Sequence, residues 1–494
     1  MSESEFKSAP VVMGSECEHS LMLRGMTPSE LADFSGEVTE AITSVSSSSR
    51  YWNYDGSSLY MDTGVHPEWA GPECLSGRDV ALYERVSQEQ MALRCARMQS
   101  NWRSRGRDVS VYLYRNNAIA NGQVSTSQFD PSWGYHMNFM VPRSFRTRAF
   151  MLDTPLLAFL ATGIIWWGTG KVVPDPESEV GYKLQLSQRA PYFSLEYAKN
   201  STLAATRGLI HYKQEDVSQN CLRLQLASTD TNMLDRVTEL KFDSIALLIT
   251  MIIENRVQGV RLASPPTNGS ITIDAAVAAM QAVNVNRDVQ LPIFGSSRTM
   301  TAREIQWQYF LEMKDFVTRT GTSERWGRTI LWLEDMLRRE AMGISHLVGY
   351  NDLGTKWRLI EELRRRHQLT AEEFFHQACF RDLAYHTVHG QGSLSSQIRL
   401  LAFDQLADAD VAAAVGRAPL GLRGQMRGLI VRQLRLAGLS FDAHWDKVTL
   451  RPEHGKHQFS MLDPFETDMG RAQSFVDDVL ATQVAKAGSE PPNA

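Results

Sequence analysis

The stretch LYMDTGVHPEW, residues 59–69, decides how this chain is read. It reads as a short strand, a turn, and then His66-Pro67-Glu68. Tyr60 and Asp62 are two apart, so on a strand they share one face. Glu68 follows six residues after Asp62. The same alternation recurs in two other strand-like runs. MGSECEHS (13–20) alternates Glu16 and Glu18, and GYHMNFMV (134–141) alternates His136 and Asn138. One such pair is what any strand carries on a solvent face. Three pairs together with His-Pro-Glu describe a sheet face that holds a cation and a polar ligand. Magnesium takes oxygen ligands in octahedral geometry, usually one or two carboxylates completed by water and substrate phosphates. Glu16, Glu18 and Glu68 can supply those oxygens, with Asp62 beside them as a base.

Outward from these runs, the chain is ordinary in composition. Its 494 residues are 43% apolar and 22% charged, with a formal net charge of -5. Length alone suggests roughly two or three domains, or one large enzyme domain with an appendage. The slight acidity gives no reason to expect a nucleic acid or a membrane as partner. The five cysteines are widely spaced, with no CxxC pair, and fit a reducing cytoplasm. The most apolar run, PLLAFLATGIIWWG (155–168), is too short to span a bilayer and predicts a buried helix.

Strands are expected over 11–21, 109–117, 135–141 and 221–229. Helices are expected over 242–257, 301–317, 324–341 and 355–369. The mixture predicts an α+β fold with helices gathered on one side of a sheet. Residues 10–394 are expected to form the catalytic domain and 395–475 a small C-terminal one. The polar run 44–50 reads as a loop. Residues 1–9 and the tail 486–494 have the composition of disordered termini.

The common nucleotide signatures are missing. WWGTGKV (166–172) lacks the glycine spacing and the following Ser or Thr of a P-loop. His386 and His389, like His454 and His457, are three apart without an HExxH frame, which favours structural roles over zinc. RGQMRGLIVRQLRL (423–436) reads as an amphipathic helix, and a sharper reading sends Arg423 and Arg427 to phosphates.

At these residues the chain resembles the Pup ligase and depupylase family, within the glutamine-synthetase-like carboxylate–amine ligases. MGSECEHS corresponds to the family's opening Gly-x-Glu-x-Glu strand and LYMDTGVHPEWAGPEC (59–74) to its Asp and His-Pro-Glu segment. YLYRNNAIANG (112–122), GYHMNFMV, TGKVV (169–173), LSQRA (186–190), AREIQWQYF (302–310), DLAYHTVHGQG (382–392) and MLDPF (461–465) follow in the family's order. The resemblance implies a curved antiparallel sheet backed by helices, with a small C-terminal domain packed against it. It implies ATP and Mg2+ as cofactors. The family's ligase phosphorylates the C-terminal glutamate side chain of the small protein Pup, and a target lysine then attacks the acyl phosphate. By this resemblance Asp62 is the base. Glu16, Tyr60 and Glu68 fall at metal positions, with Glu18 and His136 lining the same region. Asn138, Arg423, Arg427 and Trp445 are assigned to the nucleotide.

Only 45 residues separate Glu16 from Asp62, which leaves no room for the depupylase insertion and favours ligase over hydrolase chemistry. The chain also departs from the ligase pattern. Ser58 stands where the family has Arg, Gly71 where it has Thr, Met137 where it has Glu, Lys213 where it has Arg, and Gln225 where it has His. These departures open two further readings. In one the carboxylate donor is a small molecule or a protein other than Pup; in the other the chain is a non-catalytic binding protein.

Overall fold

The computed structural model describes residues 11–26, 30, 35–43, 50–62, 66–119, 132–143, 145, 155–199, 206–211, 216–218, 220–263, 274–366, 369–455 and 457–489. Lys213, the run 44–49 and the turn residues 63–65 lie outside these, as do residues 1–10 and 490–494.

The strands that build the site come early in the chain. β1 (Met13–Glu18) and β2 (Ser20–Arg24) are followed by β3 (Tyr51–Trp52), β4 (Ser58–Asp62) and β5 (His66–Ala70). β6 (Ser110–Tyr114) pairs with β2 and with Thr387–His389 in a separate three-stranded sheet. β7 (Tyr135–Pro142) returns to the main sheet. β8 (Lys171–Pro174) and β9 (Tyr182–Gln185) form a hairpin. β10 (Leu195–Ala198), β11 (Gly208–His211), β12 (Asp216–Ser218) and β13 (Cys221–Leu226) complete the main sheet. Its order is β10-β11-β13-β7-β1-β5-β4-β3, with β12 on β13, and only the β10–β11 pair is parallel. The expected α+β architecture is therefore present.

The period-2 alternation of β7 separates the two faces of this sheet. Tyr135, Met137, Phe139 and Val141 point into the main core. There they meet the Pro155–Trp167 helix and the Asp235–Ile253 helix. From Leu156 to Trp167 every residue of the first of these helices is buried, as expected for the 155–168 run. No described helix is long and apolar enough to cross a membrane. His136 and Asn138 point to the opposite face, where the candidate site lies.

A second core is built from Met426, Ile430, Val448, Phe459 and Val476, joining the Gly424–Leu436 and Met469–Ser489 helices to a three-stranded sheet. Ile398, Leu406, Val411, Ala414 and Leu422 pack instead on the main core. In packing terms the small unit therefore begins near residue 424, well after the expected boundary at 395. The last helix runs to Ser489, so the predicted disorder from 486 does not hold over its first four residues.

The small unit is bolted to the β3–β4 hairpin by buried charges. Arg427 donates from Nη2 to Gly56 O (2.8 Å) and from Nη1 to Trp445 O (2.7 Å), and forms an ion pair with Glu73 (2.5 Å). Its guanidinium sits between the rings of Trp52 and Trp445, 4.9 and 4.8 Å from their centres. Arg423 Nε adds a second bond to Glu73 at 2.9 Å. Gly56 closes the hairpin at φ +83°, and a side chain there would press on Gly424 O at 3.1 Å.

Burial opposes ionisation of Glu73, but the Arg427 and Arg423 guanidiniums outweigh it and bring its pKa down to about 2. A carboxyl depressed in the folded state stabilises fully above its unfolded value of 4.5 and loses that contribution as pH falls toward 2. The contribution is on the order of 3 kcal/mol. Glu73→Gln is accordingly expected to lower stability at pH 7 by roughly 3 kcal/mol or more, because two buried guanidiniums lose their counter-charge. The deficit should shrink between pH 4.5 and 2, as followed by urea unfolding across that range.

Candidate active site

Strand register assembles the site. β1 lies between β5 and β7, so Glu18 faces Glu68 and Glu16 faces both Ala70 and His136. β4 lies beyond β5, so Tyr60 faces Glu68 and Asp62 faces His66. On the other flank Asn138 of β7 faces Gln225 of β13, and Met140 faces Arg223. All the alternating polar residues of the three motifs thus fall on one face.

The side chains converge as the register demands. Ligand atoms of Glu16, Glu68 and His136 lie within 4.8 Å of one another, and so do those of Glu18, Asp62 and Glu68. Glu68 belongs to both groups and is their hinge. Glu16, Glu68 and His136 are buried, whereas Glu18, Tyr60 and Asp62 are half-buried.

Glu16 is the best-held carboxylate. It accepts from Arg223 Nη1 and from Gln225 Nε2, both at 3.0 Å, and lies 3.4 Å from His136 Nδ1. Burial disfavours its charge, but Arg223 and His136 outweigh burial and hold the carboxyl well below the usual range. Glu68 is the opposite case. Burial pushes its carboxyl well up, and the neighbouring charges of Glu16 and Glu18 push it further. Tyr60 shares a hydrogen bond with Glu68, and burial raises its phenol far above the ordinary value. A phenol that stays protonated orients Glu68 as a donor. Tyr60 thus meets the expected metal site through Glu68.

Crowded carboxylates that oppose one another's ionisation favour a hard cation among them. The donor set is oxygen-rich, with His136 the one nitrogen, and so it fits magnesium. Glu16, Glu68 and Glu18 could hold such an ion, with His136 flanking them.

An open cavity of about 140 Å³ adjoins the carboxylates. Glu16, Asn138, Met140, Arg223, Arg423 and Trp445 are among its lining residues. The wall is mostly apolar with a few convergent polar groups, as small-molecule sites are. Asn138 Oδ1 is buried there without a hydrogen-bond partner among the described residues, an acceptor available to a bound ligand. Trp445 enters from the small unit and stands edge-on to Trp52, their centres 4.9 Å apart.

Arg427 is the residue that departs from expectation. It is fully buried, its donors are engaged by Glu73, Gly56 and Trp445, and it is not part of the cavity wall. A phosphate contact would require breaking that cluster, so Arg427 holds the unit that carries Trp445. Arg423 does line the cavity, though its Nη1 also bonds Met461 O at 3.0 Å.

Three residues unassigned by sequence reasoning belong to this site. Arg223 and Gln225 grip Glu16, and their i, i+2 spacing in CLRLQL carried the same alternation signal as the other strands. Glu73 has no comparable signal, because its partners lie about 350 residues further along the chain. Among the described residues neither histidine pair joins a metal-capable cluster, and His386 is buried against Lys356 Nζ (2.9 Å) and Gln188 Nε2 (2.8 Å).

Comparison with known proteins points one way. The Pup-ligase protein family matches residues 11–449. A Pup–protein ligase of Kineococcus radiotolerans is 26% identical over 463 residues, covering 92% of this chain and 95% of that protein. That of Micrococcus luteus is 28% identical over 445 residues, covering 85% and 87%. Among solved structures, a complex of Pup with its ligase PafA superposes with TM-score 0.80 at 22% identity, over 98% of this chain and 96% of that one. The ADP complex of PafA superposes with TM-score 0.73 at 22% identity, over 92% and 94%.

Proposed function

The chain belongs to the Pup-ligase family, and on that premise we propose that it is an ATP-dependent carboxylate–amine ligase joining a Pup-like protein to lysines. The observation that carries this reading is the convergence of Glu16, Glu18, Asp62 and Glu68 beside a cavity walled by Asn138 and Trp445.

In this account the cavity would receive ATP, with Trp445 placed to meet the base and Glu16 to hold the metal beside the phosphates. A bound magnesium ion supplies neutralisation of the charge that spreads over the transferring phosphoryl group. Arg223 and Gln225 fix Glu16 in place, and the Tyr60 hydroxyl fixes Glu68. The donor's glutamate carboxylate takes the γ-phosphoryl group, which gives a carbonyl carbon with a leaving group. Asp62 then accepts a proton from the lysine ammonium, so that a neutral amine attacks and phosphate departs. The surrounding carboxylates favour the approach of that ammonium.

Two of the departures from the family pattern leave this chemistry in place. Met137 points into the apolar core, away from the site, so its change leaves the site untouched. Gln225 still donates to Glu16. A small-molecule donor has no feature of the site in its favour. The five cysteines are buried free thiols and accord with a cytoplasmic enzyme.

The test is ADP formation with ATP, magnesium and a Pup-like donor, with hydroxylamine added to capture acyl phosphate. Donor-dependent ADP together with a donor hydroxamate is expected. ADP formed at the same rate without donor would favour simple hydrolysis and remove the ligase assignment.

A further inference from the structure

Arg50 stands one residue before β3. Tyr51 faces Leu59 and Trp52 faces Ser58, so the register continued by one step sets Arg50 opposite Tyr60. The side chain follows it. Its guanidinium carbon lies 3.8 Å from the centre of the Tyr60 ring, and Nη1 donates to Ser58 Oγ at 3.4 Å. That is its only hydrogen bond among the described residues, and it makes no ion pair among them. Arg50 is exposed, unlike Arg423 and Arg427.

Its position along the strands is specific. Ser58 and Glu16 both pair with Ala70, which lines the cavity. Asp62 pairs with His66 at the far end of the same hairpin. Tyr60, with the guanidinium stacked on it, lies midway. The charge of Arg50 reaches Glu16 and Tyr60, favouring the ionised form of each. A cation that makes no ion pair among the described residues therefore lies between the nucleotide cavity and Asp62, on a face otherwise rich in carboxylates. A planar fork of N–H donors suits an anion with several acceptor oxygens.

We propose that Arg50 binds the phosphoryl group in transit between ATP and the substrate carboxylate. This rests on the ligase reading above. The bond from the γ-phosphorus to the bridging oxygen breaks, leaving ADP, and a bond to a carboxylate oxygen forms. Arg50 donates N–H bonds to the non-bridging oxygens throughout and exchanges no proton.

The experiment compares wild type, Arg50→Ala and Arg50→Ala/Ser58→Arg, each checked for folding by thermal melting. Calorimetry measures affinity for ADP alone and for ADP with magnesium and aluminium fluoride, which mimics the transferring group. Wild type is expected to bind the fluoride complex at least about tenfold more tightly than ADP. Arg50→Ala should lose most of that gain and keep ADP affinity within about threefold. In turnover, kcat should fall about 100-fold with KM for ATP nearly unchanged. The double variant returns a guanidinium from the facing strand and should recover at least about tenfold of the loss in kcat. The proposal is overturned if Arg50→Ala behaves as wild type, if it loses ADP and fluoride-complex affinity equally, or if wild type gains nothing from fluoride. A folded double variant that recovers nothing also overturns it. If wild type turns over no ATP, the ligase reading fails, and the binding comparison still decides the role of Arg50.

Discussion

Asp62→Asn is expected to stop conjugation while leaving formation of the acyl phosphate intact. Asn matches the shape of Asp but cannot accept a proton. A lysine ammonium that reaches the site then stays charged and has no lone pair with which to attack. Loss of a positioned general base costs about 10²–10⁴-fold. The first half-reaction does not use this group, so donor hydroxamate should still form when hydroxylamine replaces lysine. The fold should survive. Asp62 is half-buried and is one of three carboxylates in a single cluster with Glu18 and Glu68, so removing its charge relieves repulsion. Conjugation by the Asn variant at more than about a third of the wild-type rate would exclude Asp62 as the base.

Glu16→Gln is expected to stop both half-reactions. This carboxylate is the point where Arg223, Gln225 and His136 meet, and it borders the cavity. Gln removes one anionic oxygen and takes the Glu16 charge away from the Arg223 guanidinium. Losing one preorganised electrostatic contact to the transferring group typically costs about 10²–10³-fold. ADP formation, hydroxamate and conjugate should therefore fall together, in contrast to Asp62→Asn. Calorimetric titration of magnesium should show weakened binding for Glu16→Gln but little change for Asp62→Asn. Equal magnesium affinity in wild type and Glu16→Gln would remove Glu16 from the metal site.

The polar face was legible because alternation on a strand is a hard geometric rule. Given strands at MGSECE, SLYMD and YHMNFMVP, the residues Glu16, Glu18, Tyr60, Asp62, His136 and Asn138 had to divide cleanly from Cys17, Met61, Met137 and Phe139. That rule says nothing about which strands become neighbours. The placing of β1 between β5 and β7, which joins Glu68 to Glu16 and His136, is a long-range pairing. Neither periodicity nor the order of the motifs along the chain supplied it; the structure does.

Contacts formed by long side chains were not legible. In sequence Arg427 reads as part of an amphipathic helix with a solvated face or, more sharply, as a phosphate ligand. The structure buries it instead against Glu73, which is distant in sequence. Position 58 shows the same limit. The resemblance expects an arginine there, and the chain has Ser58. A guanidinium nonetheless reaches that spot from Arg50 on the facing strand, so a residue lost in the linear pattern is present in space. Near 395 composition becomes helical, while Ile398 and Val411 pack with the large core.

The most direct test of the ligase account mixes the purified chain with ATP, magnesium, a Pup-like protein ending in glutamate and a lysine-bearing acceptor. ADP and conjugate are then measured in the same samples. The account predicts one ADP per conjugate, with the acceptor's mass raised by that of the donor less one water. No conjugate, with no nucleotide bound or split under any of these conditions, would contradict it and leave a binding protein that has kept the fold.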